Sequence, residues 1–313
     1  MENYIDRMST FMGDMSRPLI IEVQPNGPKT KDFNPNVPIG HEEITREAIL
    51  LCENGASMFH VHNTDVQLKG EAAADDYMKS WRTVMEKYPD VIWDPTMVTN
   101  DDPSLMGLEH VEVLFQRGDI RIGLIDPGIT TINFAKDDAG YPIGLHYGYS
   151  MDQINQQVQM FKKYNKGVVF GIYEPSYLRT AALYINNGMA PDAVQIDYYM
   201  IDEYGLMSMS PMSVCGMPAT FESLYYYRWL TEYYGLGHLP WALSIFGAGE
   251  KDMKPLMKRA IEMGGDIKVG MDSHYSPTYK PTNLELLVEA KALAAEVGRP
   301  VATPKQAAEL LGI

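Results

Sequence analysis

Two histidines separated by one residue, His60 and His62, stand at the end of the apolar run 58–62. Side chains alternate between the two faces of a β-strand, so both imidazoles point the same way if this run is a strand. Neutral imidazoles are common ligands of divalent metal ions. A single buried histidine more often packs in a core, but the paired arrangement predicts a metal site.

The elements that must position this pair are short apolar strands alternating with amphipathic helical stretches. Strands are predicted at 19–23, 57–62, 91–94, 121–125, 168–173, 193–199, 240–245 and 266–269, and helices at 40–54, 72–88, 151–164, 220–234, 253–263 and 284–297. Eight alternating units predict a parallel sheet closed as a (β/α)8 TIM barrel. We expect residues 1–17 to form an appended arm, residues 18–313 to form one catalytic domain, and residues 304–311 to add a final helix.

A third metal ligand is expected from a neighbouring strand, because two imidazoles alone hold a divalent ion weakly. Asp272 follows the eighth predicted strand, and in a closed barrel the eighth and second strands both flank the first. Asp272 is therefore the predicted third ligand, with a helix cap or a turn residue as the alternative. His274 is left open as a fourth ligand, a base or a surface histidine.

Composition excludes several classes of protein. A formal net charge of −15 argues against nucleic-acid binding, which needs a basic surface. No apolar run approaches the length of about 20 residues that spans a bilayer, and the N-terminus does not resemble a signal peptide. Two cysteines favour a reducing cytoplasm over a disulfide framework. Met and Tyr cluster at 198–200 and 207–212, which we interpret as loop and subunit-interface packing rather than a specialised ligand surface.

Short motifs spread along the chain give a family resemblance. They are Pro18-Leu19-Ile20-Ile21, Pro35-Asn36-Val37-Pro38-Ile39, Glu53-Asn54-Gly55-Ala56, His60-Val61-His62, Asp126-Pro127-Gly128, Asn133-Phe134, Tyr173-Glu174, Val269-Gly270 and Gly298-Arg299-Pro300-Val301-Ala302-Thr303-Pro304. In this order and spacing, the chain resembles the β-keto acid cleavage enzymes, the family of the 3-keto-5-aminohexanoate cleavage enzyme, from Pro18 onward.

The resemblance implies a zinc ion held by the histidine pair and by a carboxylate after the eighth strand. It also implies transfer of the acyl part of a β-keto acid to CoA, with acetyl-CoA as co-substrate and acetoacetate as the other product. Zinc would polarise the keto oxygen and stabilise an enolate beside it. Relatives of this kind commonly form tetramers, so a homo-oligomer is expected.

Departures from the family pattern fall on the chemistry. After the eighth strand the family has Arg-x-Gly-x-Glu-Asp-Asn, whereas this chain has Lys268, Asp272, Ser273 and His274 at the corresponding places. Asp272 can still ligate zinc, but Ser273 replaces the aspartate that acts as general base. Serine does not accept a proton unaided at neutral pH, so the role is either lost or taken by His274 or Lys268. Lys268 would need a lowered pKa for this role.

Substrate-binding residues also follow from the resemblance. Lys29 lies near the position where amino-substrate members carry an acid. A lysine there suits an anionic substrate or a neutral one with an extra carboxylate, and a solvated loop lysine is the alternative. Thr96 and Thr99 resemble the segment that hydrogen-bonds the substrate carboxylate. Asp126 replaces a usual Asn and would repel that carboxylate unless the metal or Lys29 compensates.

The fifth predicted strand departs as well. The family commonly carries a carboxylate where this chain has Gly171, which leaves Glu174 three residues later. Glu174 is either functional or a loop acid that caps the next helix.

A phosphate site for CoA is predicted at Gly247, Gly249 and Lys251, ahead of a basic helix. An ordinary basic helix face is the alternative.

Two other functions remain open from the sequence. Amidohydrolase-like metal hydrolases also combine H-x-H with an aspartate after the eighth strand, but they place the pair on the first strand and add histidines after the fifth and sixth. A diverged barrel that only binds a metal and a small acid is the third interpretation.

Overall fold

The computed structural model describes residues 2–97 and 105–313. Its main sheet has eight parallel strands in the spatial order β3-β2-β1-β10-β9-β8-β7-β4. They are β1 (Ile21–Val23), β2 (Met58–Val61), β3 (Ile92–Pro95), β4 (Ile122–Ile125), β7 (Gly167–Ile172), β8 (Val194–Ile201), β9 (Trp241–Phe246) and β10 (Asp266–Val269). The end strands β3 and β4 lie beside each other, so the sheet forms a nearly closed barrel and the predicted fold class is confirmed.

Helices surround this sheet. They are α1 (Glu2–Thr10), α2 (Gly40–Glu53), α3 (Gly70–Lys87), α4 (Glu109–Arg117), α5 (Met151–Tyr164), α6 (Pro175–Asn186), α7 (Phe221–Tyr233), α8 (Lys254–Glu262), α9 (Asn283–Val297) and α10 (Pro304–Leu311). Helices α1, α4 and α6 have no counterpart among the helices predicted from the sequence. None of the helices in the described part of the chain is long and apolar enough to cross a membrane.

The barrel strands are buried on both faces, as parallel strands covered by helices must be. All four residues of β2, β3 and β10 are buried, for example. On the outside, Phe59 of β2 and Trp93 of β3 stack at 5.1 Å, and Trp93 stacks on Trp81 of α3 at 4.7 Å between ring centroids. This packing fixes the ends of β2 and β3 where His60 and its neighbours lie.

The N-terminal segment packs on the outside of the barrel. Arg259 of α8 donates hydrogen bonds to the carbonyl oxygens of Met8 and Phe11. Arg7 of α1 pairs with Glu232 of α7 at 2.7 Å. The segment therefore rests against α7 and α8.

An antiparallel hairpin, β5 (Ile129–Lys136) and β6 (Pro142–Gly148), follows β4 and interrupts the strict alternation that the sequence analysis predicted. Its turn is held by Asp137, whose carboxylate accepts the N–H groups of Ala139 and Tyr141. The distal part of the hairpin is exposed, whereas Ile132 and Tyr147 face the mouth of the barrel.

A long loop between β8 and α7 forms a second cover over the mouth. The N–H of Ile201 donates to Met217, and that of Ser213 donates to Glu203, which keeps the loop close to β8. Leu206 and Met207 of this loop line the cavity below.

Candidate metal centre and barrel mouth

The structure brings the three predicted metal ligands together. Strands β2 and β10 both pair with β1, so the residues that follow them meet over the same edge of the barrel. Asp272 Oδ2 lies 4.0 Å from His60 Nε2 and 3.5 Å from His62 Nε2. The ligand atoms of all three residues lie within 4.8 Å of one another. One ion can contact all three.

Neighbouring groups hold the ligands in place. Asp94 Oδ2 lies 3.1 Å from His60 Nδ1, which leaves Nε2 facing Asp272. Asn26 accepts from the N–H of His62 at 3.0 Å and donates to its carbonyl oxygen at 2.8 Å. Carboxylates in such positions orient metal-binding imidazoles. Gly27 has φ +71° and a Cβ there would lie 2.0 Å from Asp272 Oδ1, so only glycine lets the backbone approach this ligand.

The protonation states suit a cation. Burial lowers the pKa of His60, although Asp94 opposes this effect. Burial would raise the pKa of Asp272, but the two imidazoles and Lys29 hold it well below its usual range. Metal ligands must be a neutral imidazole and an ionised carboxylate, which these directions favour.

A cavity of about 70 Å³ opens above the three ligands. Its remaining walls are mostly aromatic and aliphatic: Gln24, Pro28, Thr96, Leu124, Ile132, Tyr147, Tyr173, Tyr199, Leu206, Met207 and Phe246. The tyrosine rings pack edge to face, with 5.6 Å between the centroids of Tyr147 and Tyr173 and 4.8 Å between Tyr173 and Tyr199. The three predicted metal ligands therefore face an aromatic wall across a small cavity.

A model of the β-keto acid cleavage enzyme family matches residues 18–313. The chain belongs to this family. It is 27% identical over 300 residues to the 3-keto-5-aminohexanoate cleavage enzyme of Acetoanaerobium sticklandii, covering 91% of this chain and 94% of that one. It is 25% identical over 305 residues to the 3-oxoadipate:acetyl-CoA acetyltransferase of Cupriavidus necator, covering 96% of each.

A solved structure shares the fold at lower identity. The ternary complex of ObcA with a C4-CoA adduct and oxalate superposes with a TM-score of 0.62 at 16% identity, and the match covers 89% of this chain and 68% of ObcA. This likeness supports the barrel architecture alone.

Lys268 lies inside the barrel of this family member, below the cavity floor. Its Nζ pairs with Asp197 at 2.9 Å and Glu22 at 3.2 Å, and it donates to the Tyr199 hydroxyl at 3.2 Å. Burial would lower the pKa of Lys268, but the two carboxylates raise it well above its ordinary value. This is opposite to the shift that the hypothesis of Lys268 as a base requires. Lys268 instead neutralises buried acids.

Ser273 and His274 face away from the cavity above the metal ligands. The Ser273 hydroxyl donates to Gly270 at 3.3 Å. Both residues line a separate cavity of about 260 Å³ behind β9 and β10. Burial, together with Lys29 and Lys280, lowers the pKa of His274 to about 4. Neither side chain lines the cavity above the three predicted metal ligands.

Lys29 is not a solvated loop lysine. It is 6% exposed, and its Nζ donates to the carbonyl oxygen of His274 at 3.1 Å. Burial lowers the pKa of Lys29 to about 8, although the Asp272 carboxylate opposes this shift. Lys29 therefore acts electrostatically on Asp272, the predicted third ligand.

The two predicted threonines have different outcomes. Thr96 lines the cavity, and its carbonyl oxygen accepts from His110 at 2.8 Å. Thr99 lies outside the described residues.

Glu174 connects the β5–β6 hairpin to the loop after β8, the two segments that cover the mouth of the barrel. It precedes α6 but makes no side-chain cap. Its Oε1 accepts from the Thr130 hydroxyl at 3.0 Å and from the Gly216 N–H at 2.8 Å. Glu174 thus ties β5 to the loop after β8, which differs from the predicted alternative of a helix cap.

The predicted phosphate site does not fit the geometry. The N–H groups of Gly247 and Gly249 donate to the carbonyl oxygens of Ser273 and Tyr275. Lys251 pairs with Asp202 at 2.6 Å and Glu203 at 3.1 Å. The donors expected to hold phosphate already have partners.

Residues that the sequence analysis missed form most of the cavity. Tyr199 and Met207 lie in the Met and Tyr clusters that were interpreted as packing, and they line the mouth instead. Tyr147 reaches the mouth on the unpredicted hairpin. The turn sequence Asp-Asp-Ala-Gly at 137–140, between two strand-like runs, was the available signal for that hairpin.

Proposed function

We propose that this chain is a zinc-dependent enzyme that transfers the acyl part of a β-keto acid to CoA, using acetyl-CoA and releasing acetoacetate. The carrying observation is the convergence of His60, His62 and Asp272 within 4.8 Å at the floor of a cavity. Membership of the β-keto acid cleavage enzyme family supports this reaction class. The name of the relative from Cupriavidus necator supports acetyl-CoA as co-substrate.

Zinc fits the donor set. Catalytic zinc sites use three protein ligands and leave a position open for substrate. When bound, zinc would act as a Lewis acid on the keto oxygen and stabilise negative charge there. Asp94 would keep the His60 imidazole in the tautomer that presents Nε2.

The chain's own residues supply binding and exclusion of water. Thr96 and Gln24 are neutral, non-aromatic hydrogen-bonding side chains on the cavity wall, and we assign the substrate carboxylate to Thr96. Leu206, Met207 and Phe246 close the apolar side of the cavity. Glu174 holds both covers in position. We further propose a homo-oligomer that works in the cytoplasm.

The experiment is a substrate panel with metal-replete protein. Metal content is measured by mass spectrometry, and acetoacetate formation is followed with acetyl-CoA and β-keto acids that carry neutral, cationic or anionic side chains. The proposal expects about one zinc per chain and acetoacetate from at least one substrate. His60→Ala should lose both properties. His146→Ala changes an exposed histidine on the hairpin and should retain them. Zinc-loaded protein that forms no acetoacetate with any member of the panel contradicts the proposal.

A further inference from the structure

Cleavage of a β-keto acid through an enolate needs a group that removes a proton from the carbon between the two carbonyls. Among the described residues that line the cavity, His60, His62 and Asp272 are the proposed metal ligands, and Gln24 and Thr96 are not bases at neutral pH. The tyrosines of the aromatic wall remain. One of them, Tyr147, contacts a carboxylate.

Tyr147 and Asp126 form a hydrogen-bonded pair opposite the metal ligands. The Tyr147 hydroxyl donates to Asp126 Oδ2 at 3.1 Å. Tyr147 lines the cavity, whereas Asp126 is 0% exposed behind it. The other carboxyl oxygen, Oδ1, has no hydrogen-bond partner among the described residues. A buried carboxyl group with an unsatisfied oxygen is costly, so its retention calls for an explanation.

Gly171 of β7 makes room for this carboxyl group. A Cβ at residue 171 would lie 2.3 Å from Asp126 Oδ1 and 2.7 Å from Tyr199 Cε2. The Asp126 carboxyl group therefore occupies the space that a side chain at position 171 would fill. Any larger residue at 171 must displace Asp126 or Tyr199.

We propose that Tyr147 and Asp126 act together as the proton-transfer group of the reaction. The inference rests on the proposed function. The C2–H bond of the β-keto acid breaks, its electron pair enters the enolate, and its proton goes to the Tyr147 oxygen. The Tyr147 phenolic proton moves at the same time to Asp126 Oδ2. After acyl exchange the phenolic proton of Tyr147 passes to C2 of the acetoacetate enolate and the proton on Asp126 Oδ2 returns to the Tyr147 oxygen, so the pair is regenerated.

The surroundings of the Asp126 carboxyl group shift its pKa towards neutral pH. Burial raises the pKa of Asp126 to about 8, although the hydrogen bond from Tyr147 and the charge of Lys268 oppose the shift. A proton acceptor works best when its pKa is near the working pH. The titratable groups that act on Asp126 or feel its charge are Lys268, Asp94, Asp197, Tyr147, Tyr149, Tyr173, Tyr177 and Tyr199.

The test measures proton removal apart from acyl transfer. Zinc-loaded protein is incubated with acetoacetate in D₂O, and deuterium entry at C2 is followed by NMR above the rate without protein. Asp126→Asn and Tyr147→Phe are compared with Tyr184→Phe, which removes a tyrosine hydroxyl bonded to Asn155 outside the cavity. Bound zinc and thermal unfolding are measured for each variant. Gly171→Ala is added because it disturbs the Asp126 carboxyl group without changing either member of the pair.

The proposal expects Asp126→Asn and Tyr147→Phe to lose about 100-fold or more of the exchange rate while they keep zinc and fold. The exchange rate of Gly171→Ala should fall between the rates of these two variants and that of the wild type. The exchange rate of Tyr184→Phe should match that of the wild type. The wild-type rate should rise with pH to a plateau above about 8, and Asp126→Asn should lose that rise.

Two results overturn the inference in distinguishable ways. If the wild type exchanges and both Asp126→Asn and Tyr147→Phe exchange equally fast, the pair is not the proton-transfer group and the proposed function still stands. If the zinc-loaded wild type neither exchanges acetoacetate nor forms it from any keto acid, the proposed function fails and the inference fails with it.

Discussion

The two sides of the barrel mouth are built differently. The metal side comes from short strands, with three residues in β1 and four each in β2 and β10, and carries two imidazoles and a carboxylate at or just past the ends of β2 and β10. The opposite side comes from longer strands, with six residues in β7, eight in β8 and six in β9, and is aromatic. The longer strands reach further into the mouth, where Tyr199 and Phe246 lie.

This difference separates two tasks. On the metal side, barrel topology brings the predicted ligands together, because β2 and β10 both pair with β1. On the aromatic side, Tyr147 arrives on an inserted hairpin that Glu174 ties to the loop after β8. A barrel of this kind can keep its metal ligands while the groups facing them change. If the two sides are separable, a substitution on one side should leave the other side's property unchanged.

The largest effect is expected from removing a metal ligand. His62→Ala deletes one of three ligands, so bound zinc and acetoacetate formation should both fall by more than about 100-fold, since even loss of a residue that only orients a ligand costs about 10- to 100-fold. Metal analysis and a coupled acetoacetate assay measure this. Full activity in zinc-depleted His62→Ala would show that the metal side is not needed.

The charge network beneath both sides should give the next largest effect, on stability. Lys268→Met leaves Glu22 and Asp197 buried without their cation, which should cost about 3–5 kcal/mol of unfolding free energy. Lys258→Met removes the exposed pair with Glu296, which solvent screens, and should cost much less than Lys268→Met. Urea denaturation compares the two variants. Equal costs would mean that Lys268 does not neutralise the barrel interior.

A smaller effect concerns the pH dependence of stability in the metal-free protein. The folded-state pKa of Asp126 is raised to about 8 from an ordinary value of 3.8, so the folded state holds a proton that the unfolded chain has lost. Its contribution is fully present below pH 3.8 and is lost as pH rises through 8. Between pH 6 and 7 the wild type should therefore lose up to about 1.4 kcal/mol more than Asp126→Asn. Identical losses in urea titrations at the two pH values would contradict the buried neutral carboxyl group.

The metal side could be predicted from the sequence because its signals are local or topological. The spacing of His60 and His62 follows from the two-residue period of a strand, and Asp272 follows from the order of strands in a barrel. The fold class was predictable for the same reason, since alternating strands and helices of regular length leave few alternatives.

The aromatic side could not be predicted because its contacts join distant segments. Nothing near Tyr147 in the sequence indicates that it meets Asp126, and nothing near Gly171 indicates that the same carboxyl group fills its space. The raised pKa of Lys268 could not be predicted because its partners Glu22 and Asp197 come from two other strands. The sign of its pKa shift depends on those partners and not on burial alone.

The most direct test of separable sides is the zinc dissociation constant of two variants, one from each side. Asp94→Asn weakens the group that orients His60, so its zinc affinity should fall about 10- to 100-fold. Tyr147→Phe changes the opposite wall, so its zinc affinity should stay within about twofold of the wild type, well under the 1.4 kcal/mol that corresponds to a tenfold change. Equal weakening of zinc binding in both variants would contradict the account, because the two sides would then be one coupled unit.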